Sequence, residues 1–280
     1  CEVEYVPNGV LHVDPNSNAG PSADGSEALP YGSIAAALAA AFEGYTIKLA
    51  SIYSIRLPDL SPYVEEFQAS VPGATVQLEY MHPDEIYTRI QNDQSDLGLI
   101  AFAAPGRDIS AVPWQQQTMV VTCLPSHKFS RRATAVGPWE LSGESIVTFD
   151  RQLPVRRELD RYLRRHRADV NIVAEFDNIE NIKEAVEDGA GIAIVPEQTV
   201  RREVKRRSLV SVALDTLDGE APFVRPLSIV HRRKRRLNPA VTAFIKLLSR
   251  VDTKTATPVT AKSASHNQGL TKEDPTRPQA

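Results

Sequence analysis

The sequence predicts an α/β fold of two lobes joined by two crossing segments. Three observations carry that expectation. From about residue 46 to 250, apolar strand-like runs alternate with stretches of helical periodicity, the order that builds parallel sheets. Two such α/β units follow one another. A last strand and helix come after both, placed to return to the first unit and leave a cleft between the two. Ligands of such sheets sit beyond the carboxyl ends of the strands, so strand-end residues are where function is sought.

In the first unit, TIKLA breaks abruptly into Ser51, Tyr53 and Ser54. A helix follows, with Leu60, Tyr63, Val64 and Phe67 at the i, i+3, i+4, i+7 spacing of one buried face. TVQLEY is a second strand, Asp84 to Asn92 a short helix, and LGLIAFA a third strand. The second unit begins with TMVVTCL at 118–124, then PWEL, a short helical turn, and ESIVTFD at 144–150. A helix over Val155 to Arg167 buries Val155, Leu159, Tyr162 and Leu163, and VNIVAEF is the next strand. Asn178 caps a helix carrying Ile179, Ile182, Ala185 and Val186, which Gly189 ends in the left-handed conformation. GIAIVP is a strand, 197–206 a helix, and LVSVAL and RPLSIVH are strands. The final helix takes Asn238 as cap and Pro239 at its first position, with Val241, Phe244, Ile245 and Leu248 inward.

The flanks differ. Residues 1–45 read as an irregular or linker segment, rich in Pro, Gly, Ser, Asn and Asp, although SIAAALAAAF is helix-prone. Residues 251–280 read as a disordered tail.

Composition excludes several classes. The formal net charge of −3 gives no whole-chain case for nucleic acid or anionic membrane, and no apolar run approaches a spanning helix. Two cysteines, Cys1 and Cys123, make no disulfide framework and suit a cytoplasmic setting. The histidines are scattered without HExxH or CxxC, so no metal and no cofactor is expected. Cys123 and His127 are four apart, but with no third residue to orient the histidine they make a poor nucleophile pair. HRRKRR at 231–236 leaves a strand for a capped helix start and reads as a solvated turn before a nucleic-acid contact.

Six segments in order carry a resemblance: IKLASIYSIRLPDLSPYVEEFQASVPGATVQLEY, NDQSDLGLI, MVVTCLPSHKFS, ELSGESIVTF, FDNIENIKEAVEDGAGIAIVPEQTV and RPLSIVHRRKRRLNPAVTAFIKLL. Each is degenerate alone; together the stretch from 46 to 250 resembles the effector-binding domain of LysR-type transcriptional regulators, most of all a sulfur-assimilation-like branch. The resemblance implies a periplasmic-binding-protein-like (type 2) fold, with lobe I at about 46–115 and 225–250 and lobe II at about 116–224. It implies an effector between the lobes, and a homodimer or tetramer in which the helix at about 58–70 packs on a lobe II helix of its partner. Family members also carry an N-terminal helix-turn-helix, a pattern the sequence before 46 lacks, so DNA contact is expected only through such a domain outside this chain.

The candidate effector-binding residues follow from the strand ends. Ser51, Tyr53 and Ser54 close the first strand, where hydroxyls and helix-start N–H groups suit an oxyanion. Ala101 and Phe102 close the third and read as cleft wall. Phe149 and Gln152, Asn178 and Pro196 hold the corresponding positions of lobe II; a cap accounts for Asn178 equally well, and Pro196 for a helix start. The expected effector is a small anionic metabolite held between Ser51, Ser54 and Gln152, sensed by cleft closure and dimer rearrangement, with no enzymatic activity. The alternative is a solute-binding protein of a transporter, lipid-anchored through Cys1.

Overall fold

The computed structural model describes residues 2–5, 9–12 and 44–250, apart from 72, 105, 133 and 216–220. The helix-prone SIAAALAAAF and the tail beyond 250 lie outside the described residues, as does Cys1. Within the segment read as irregular, β1 (Glu2–Tyr5) and β2 (Gly9–His12) pair antiparallel, Glu2 opposite His12. Val, Tyr and Leu within EVEY and GVLH supply the strand propensity that the loop-like composition of the whole segment concealed.

The first α/β unit consists of β3 (Thr46–Ser51), α1 (Leu57–Ser70), β4 (Thr75–Tyr80), α2 (Pro83–Gln91) and β5 (Leu97–Ala101). β3 lies between β4 and β5 and is parallel to both, as the alternating pattern requires. α1 starts where the Arg56 N–H meets the Asp59 carboxylate at 3.0 Å, with Pro58 in its first turn. α2 is capped by His82, whose Nδ1 accepts from the Asp84 N–H at 3.4 Å.

β6 (Ile109–Cys123) is fifteen residues long, against the seven of the expected strand. Its first half, ISAVPWQQQ, carries a proline and three glutamines and does not read as a strand. It is one because β11 (Val224–Arg232) pairs with it antiparallel along its length. The register slips between Leu227 and Ser228, opposite Gln115 and Pro113, so a bulge absorbs the proline. β11 also pairs antiparallel with β5. The expectation of parallel strands therefore fails at the crossing segments, because the periodicity of burial is the same for either strand direction.

The second unit holds β7 (Ser145–Phe149), α3 (Pro154–Arg165), β8 (Asn171–Phe176), α4 (Ile179–Glu187) and β9 (Ala193–Pro196). After β9 the expected single helix divides into a 3-10 turn (Glu197–Val200) and α5 (Arg201–Arg206), followed by β10 (Val210–Ala213). Gly189 ends α4 at φ +87°, as its sequence position implied. β7 and β8 are parallel, while β9 and β10 flank β6 antiparallel. The large sheet thus runs β10-β6-β11-β5-β3-β4 with β9 also on β6, a mixed sheet spanning both units.

Two separate cores hold this together. One gathers Ile47, Leu60, Phe67, Leu99, Leu227 and Phe244, the last from α6 (Pro239–Leu248). Phe67 meets Phe244 edge-on at 5.0 Å, which ties α6 to α1. Each such ring, fully buried, contributes roughly 1.5–3 kcal/mol. The other core gathers Val121, Phe149, Leu159, Ile182, Ile194 and Val212. β6 and β11 cross from one to the other.

Candidate functional site

A cavity of about 160 Å³ opens where the two cores face each other. Strand ends and helix starts make its wall. From the first core come Tyr53 and Ser54 after β3, His82 before α2, and Ala101 at the end of β5. From the second come Phe149 at the end of β7, Leu153 and Pro154 at the start of α3, and Asp177 and Ile179 at the start of α4. Three helices therefore point their N-termini at the space, and their dipoles favour negative charge there.

The residue that dominates the electrostatics is Arg225, near the start of β11. Its side chain is 2% exposed, yet it lines the cavity. Nε donates to Gln117 Oε1 at 2.8 Å, Nη2 donates to the same oxygen, and Nη1 donates to Ser54 Oγ at 2.9 Å. Gln117 is its direct partner across the β6–β11 ladder. Among the described residues no carboxylate pairs with this guanidinium; Asp59 acts on it only through space and is itself paired with Arg56 at 3.5 Å. Burial drags Arg225 down to about 9, partly opposed by Asp59, so it remains charged at neutral pH. A buried, unneutralised cation at the wall of a cavity is an anion-binding group in waiting.

The strand-end reading missed Arg225, although a signal was present. In VRPLSIVH the arginine shares the period-two face of Leu227 and Ile229, both buried. A lone cation on the buried face of a strand must find a polar purpose.

Of the expected site residues, Tyr53, Ser54, Ala101 and Phe149 line this cavity. Tyr53 is 56% exposed and stacks on Tyr80 at 6.4 Å. Ser51, Phe102, Gln152, Asn178 and Pro196 do not line it. Ser51 is still within β3, fully buried, with its hydroxyl on the Ile52 carbonyl at 3.3 Å. Phe102 takes a left-handed φ of 51° and packs against the second core. Gln152 is exposed, its N–H held by Asp150 Oδ1 at 2.8 Å. Asn178 Oδ1 accepts from the Glu180 N–H at 2.9 Å, so its side chain is used as a cap. Pro196 is buried in β9 opposite Met119, and its carbonyl accepts from Thr199 Oγ1 at 2.6 Å. A one-residue step along a strand reverses the side chain, which strand-end counting does not resolve.

Phe149 is held in place from behind. Arg156, 3% exposed, donates to the Phe149 carbonyl at 2.7 Å and pairs with Asp160 at 2.8 Å and Glu175 at 3.1 Å. Burial pushes the Glu175 carboxyl up, but hydrogen bonds from Arg151 and Arg156 outweigh it and leave it below the usual carboxylate range. Opposite, Lys183 ties α4 to Glu203 at 2.8 Å and to the Thr199 carbonyl at 3.1 Å.

Cys123 and His127 require one correction. A third residue does orient the histidine: Glu144 Oε2 lies 3.2 Å from Nε2. The pair is nonetheless unfit for nucleophilic chemistry. His127 Nδ1 accepts from the Phe129 N–H, so both ring nitrogens are engaged elsewhere, and burial pushes the Cys123 thiol up to about 11. Among the described residues, no three His, Cys, Asp or Glu side chains cluster as a metal site, and no helix is long and apolar enough to cross a membrane.

Comparison with known proteins agrees with this architecture. The LysR substrate binding domain matches residues 41–252. The RuBisCO operon transcriptional regulator of Allochromatium vinosum is 25% identical over 179 residues, 64% of this chain and 57% of that protein. The chain spans little more than half the length of the curated relatives it matches. The sulfur-assimilation-like branch draws no support from these RuBisCO-named relatives. Among solved structures, the Synechocystis CcmR regulatory domain in complex with 2-PG superposes with a TM-score of 0.65 at 22% identity, covering 75% of this chain and 98% of that one. The effector binding domain of QuiR in complex with shikimate gives 0.65 at 17% identity, covering 73% and 95%. The fold is thus that of LysR effector-binding domains, the type 2 periplasmic-binding-protein-like arrangement.

Proposed function

Since this chain belongs to the LysR substrate binding domain family, we propose that it senses a small metabolite carrying an anionic group and passes that signal to transcription. The observation that carries the reading is Arg225, a buried cation without a carboxylate partner among the described residues, set in the wall of the cavity between the two cores. An effector oxyanion would join Ser54 and Gln117 around the guanidinium and meet the N-terminal ends of α2, α3 and α4. The ligand-bound neighbours CcmR and QuiR support a small-molecule role for this fold. The relatives named above are transcriptional regulators, and we assign the chain no catalysis. The anchored solute-binding alternative gains no support from them.

In this reading lobe I comprises about 46–115 and 225–250 and lobe II about 116–224. The effector shifts their equilibrium through higher affinity for the closed form, which adds Phe149 and Leu153 to the contacts of Arg225. A homodimer relays the change through α1, whose Leu57 is 56% exposed. DNA contact belongs to a helix-turn-helix segment rather than to residues 44–250, and the setting is cytoplasmic.

The test is calorimetry and thermal shift on the full chain with a panel of carboxylates, phosphates and sulfate. At least one should bind the parent and lose tenfold or more in affinity in Ser54→Ala and Arg225→Met. An anion that binds both variants as tightly as the parent would place the pocket elsewhere.

A further inference from the structure

The cavity carries a second charge that the anionic reading leaves unused. Asp177 lines it from the second core, at the junction of β8 and α4. Its side chain makes no hydrogen bond or ion pair among the described residues, and the residue is exposed. Asn178 already caps α4 by taking the Glu180 N–H, so the helix start does not require the Asp177 carboxylate. Arg225 is buried on the other core, and Ile52, Met81, Leu153, Val155 and Ile179 give the cavity an aliphatic wall, with Tyr53 and His82 beside it. A cavity with a deep cation, a shallow free carboxylate and an aliphatic wall is complementary to a molecule with the opposite arrangement.

We infer that the effector is bipolar, a small α-amino acid with an apolar side chain. Its carboxylate would sit on Arg225 and Ser54, its ammonium on Asp177, and its side chain against Met81, Leu153 and Ile179. The inference rests on the acid-binding reading above and narrows it. A dianion of sugar-phosphate type can turn its second charge toward a helix N-terminus, but it meets the Asp177 carboxylate as a like charge, which the ammonium of an amino acid does not. The amino acid also joins the two cores with one ion pair on each. It therefore gains both contacts only when the lobes approach, the differential affinity that closure requires.

Matched ligands separate the two readings. L-leucine, L-methionine and L-phenylalanine are titrated into the full chain by calorimetry, beside 4-methylpentanoate, 4-(methylthio)butanoate and 3-phenylpropanoate, which lack only the amino group, and isoamylamine, which lacks the acid. Asp177→Asn and Arg225→Met are measured in parallel. The expected result is that at least one amino acid binds ten times or more tighter than its deaminated partner, and that Asp177→Asn shrinks this ratio below threefold. Arg225→Met should weaken both members of the pair. Equal binding of the deaminated acid, or a ratio unchanged in Asp177→Asn, overturns the bipolar inference and leaves the acid-binding reading standing. So does a phosphate or carboxylate that binds where no amino acid does. Binding of leucine that Arg225→Met does not weaken overturns both readings. Failure of every amino acid on the panel to bind overturns the inference as well.

Discussion

Replacing Arg225 by methionine should cost the unliganded protein little stability while removing its response to acids. The fall of the guanidinium from the ordinary arginine range to about 9 reflects the cost of holding it charged in the interior. Taking such an ion out of water costs several kcal/mol against the charged folded form. Against this stand its hydrogen bonds to Gln117 and Ser54, each worth about 1.5–3 kcal/mol because the donor is charged. The two sides nearly cancel. Methionine fills a similar volume, removes the desolvation cost, and leaves Gln117 Oε1 unpaired at about 1–3 kcal/mol. The expected change in urea-unfolding free energy at pH 7 is within about 2 kcal/mol of the parent, of either sign. Binding of an acid that uses the guanidinium should fall by about 2–5 kcal/mol, roughly thirtyfold to several thousandfold. Far-ultraviolet circular dichroism along a urea gradient reads the first quantity and calorimetry the second. A loss of more than about 4 kcal/mol, with acid binding intact in whatever remains folded, would make Arg225 a structural brace and refute the argument.

Arg156→Ala should be far more damaging, about 3–5 kcal/mol by urea unfolding, because it strands the buried Phe149 carbonyl and Asp160 and leaves Glu175 with Arg151 alone. The same network sets an acid dependence. Glu175 and Glu203 are held below the usual carboxylate range: burial pushes each up, but hydrogen bonds from Arg151 and Arg156, and from Lys183, outweigh it. Between the ordinary carboxylate value and these lowered ones the unfolded chain binds more protons, so stability is full above the window and falls as pH falls through it; urea midpoints from pH 7 to 3.5 should show this, with a shallower fall in Arg156→Ala. Gly191→Ala should cost more than Gly98→Ala, since a new Cβ at 191 would lie 2.2 Å from the Ser145 backbone oxygen, while at 98 it meets side-chain methyls of Ile86 and Val230 that can shift; thermal melts that rank them the other way would contradict this. A homodimer through α1 predicts that Leu57→Glu lowers the mass found by light scattering at tens of micromolar, and an unchanged mass would count against that face.

Much of the fold was legible from local chemistry. Alternating burial in TIKLA and TVQLEY, the 3.6-residue spacing of Leu60, Tyr63, Val64 and Phe67, and the caps at Asn178 and Asn238 each act within a few residues. Such signals need no knowledge of distant partners. Tyr53, Ser54, Ala101 and Phe149 could be proposed for the same reason, since they follow strands of an α/β unit and so stand at one end of a sheet.

Local pattern alone carried the order of elements, two lobes with a returning strand and helix, and several of the strand ends that line the cavity. Long-range pairing makes 109–117 a strand, because its ladder exists through β11, more than a hundred residues away. Only the tertiary structure brought Arg225 to Ser54 and Gln117, and Asp177 to the same cavity from the opposite core. It also turned Ser51 inward. The physical reason is shared by all four cases. Periodicity reports burial and local hydrogen bonding, whereas the partner of a buried charge is fixed by which strands are neighbours and which way each side chain points.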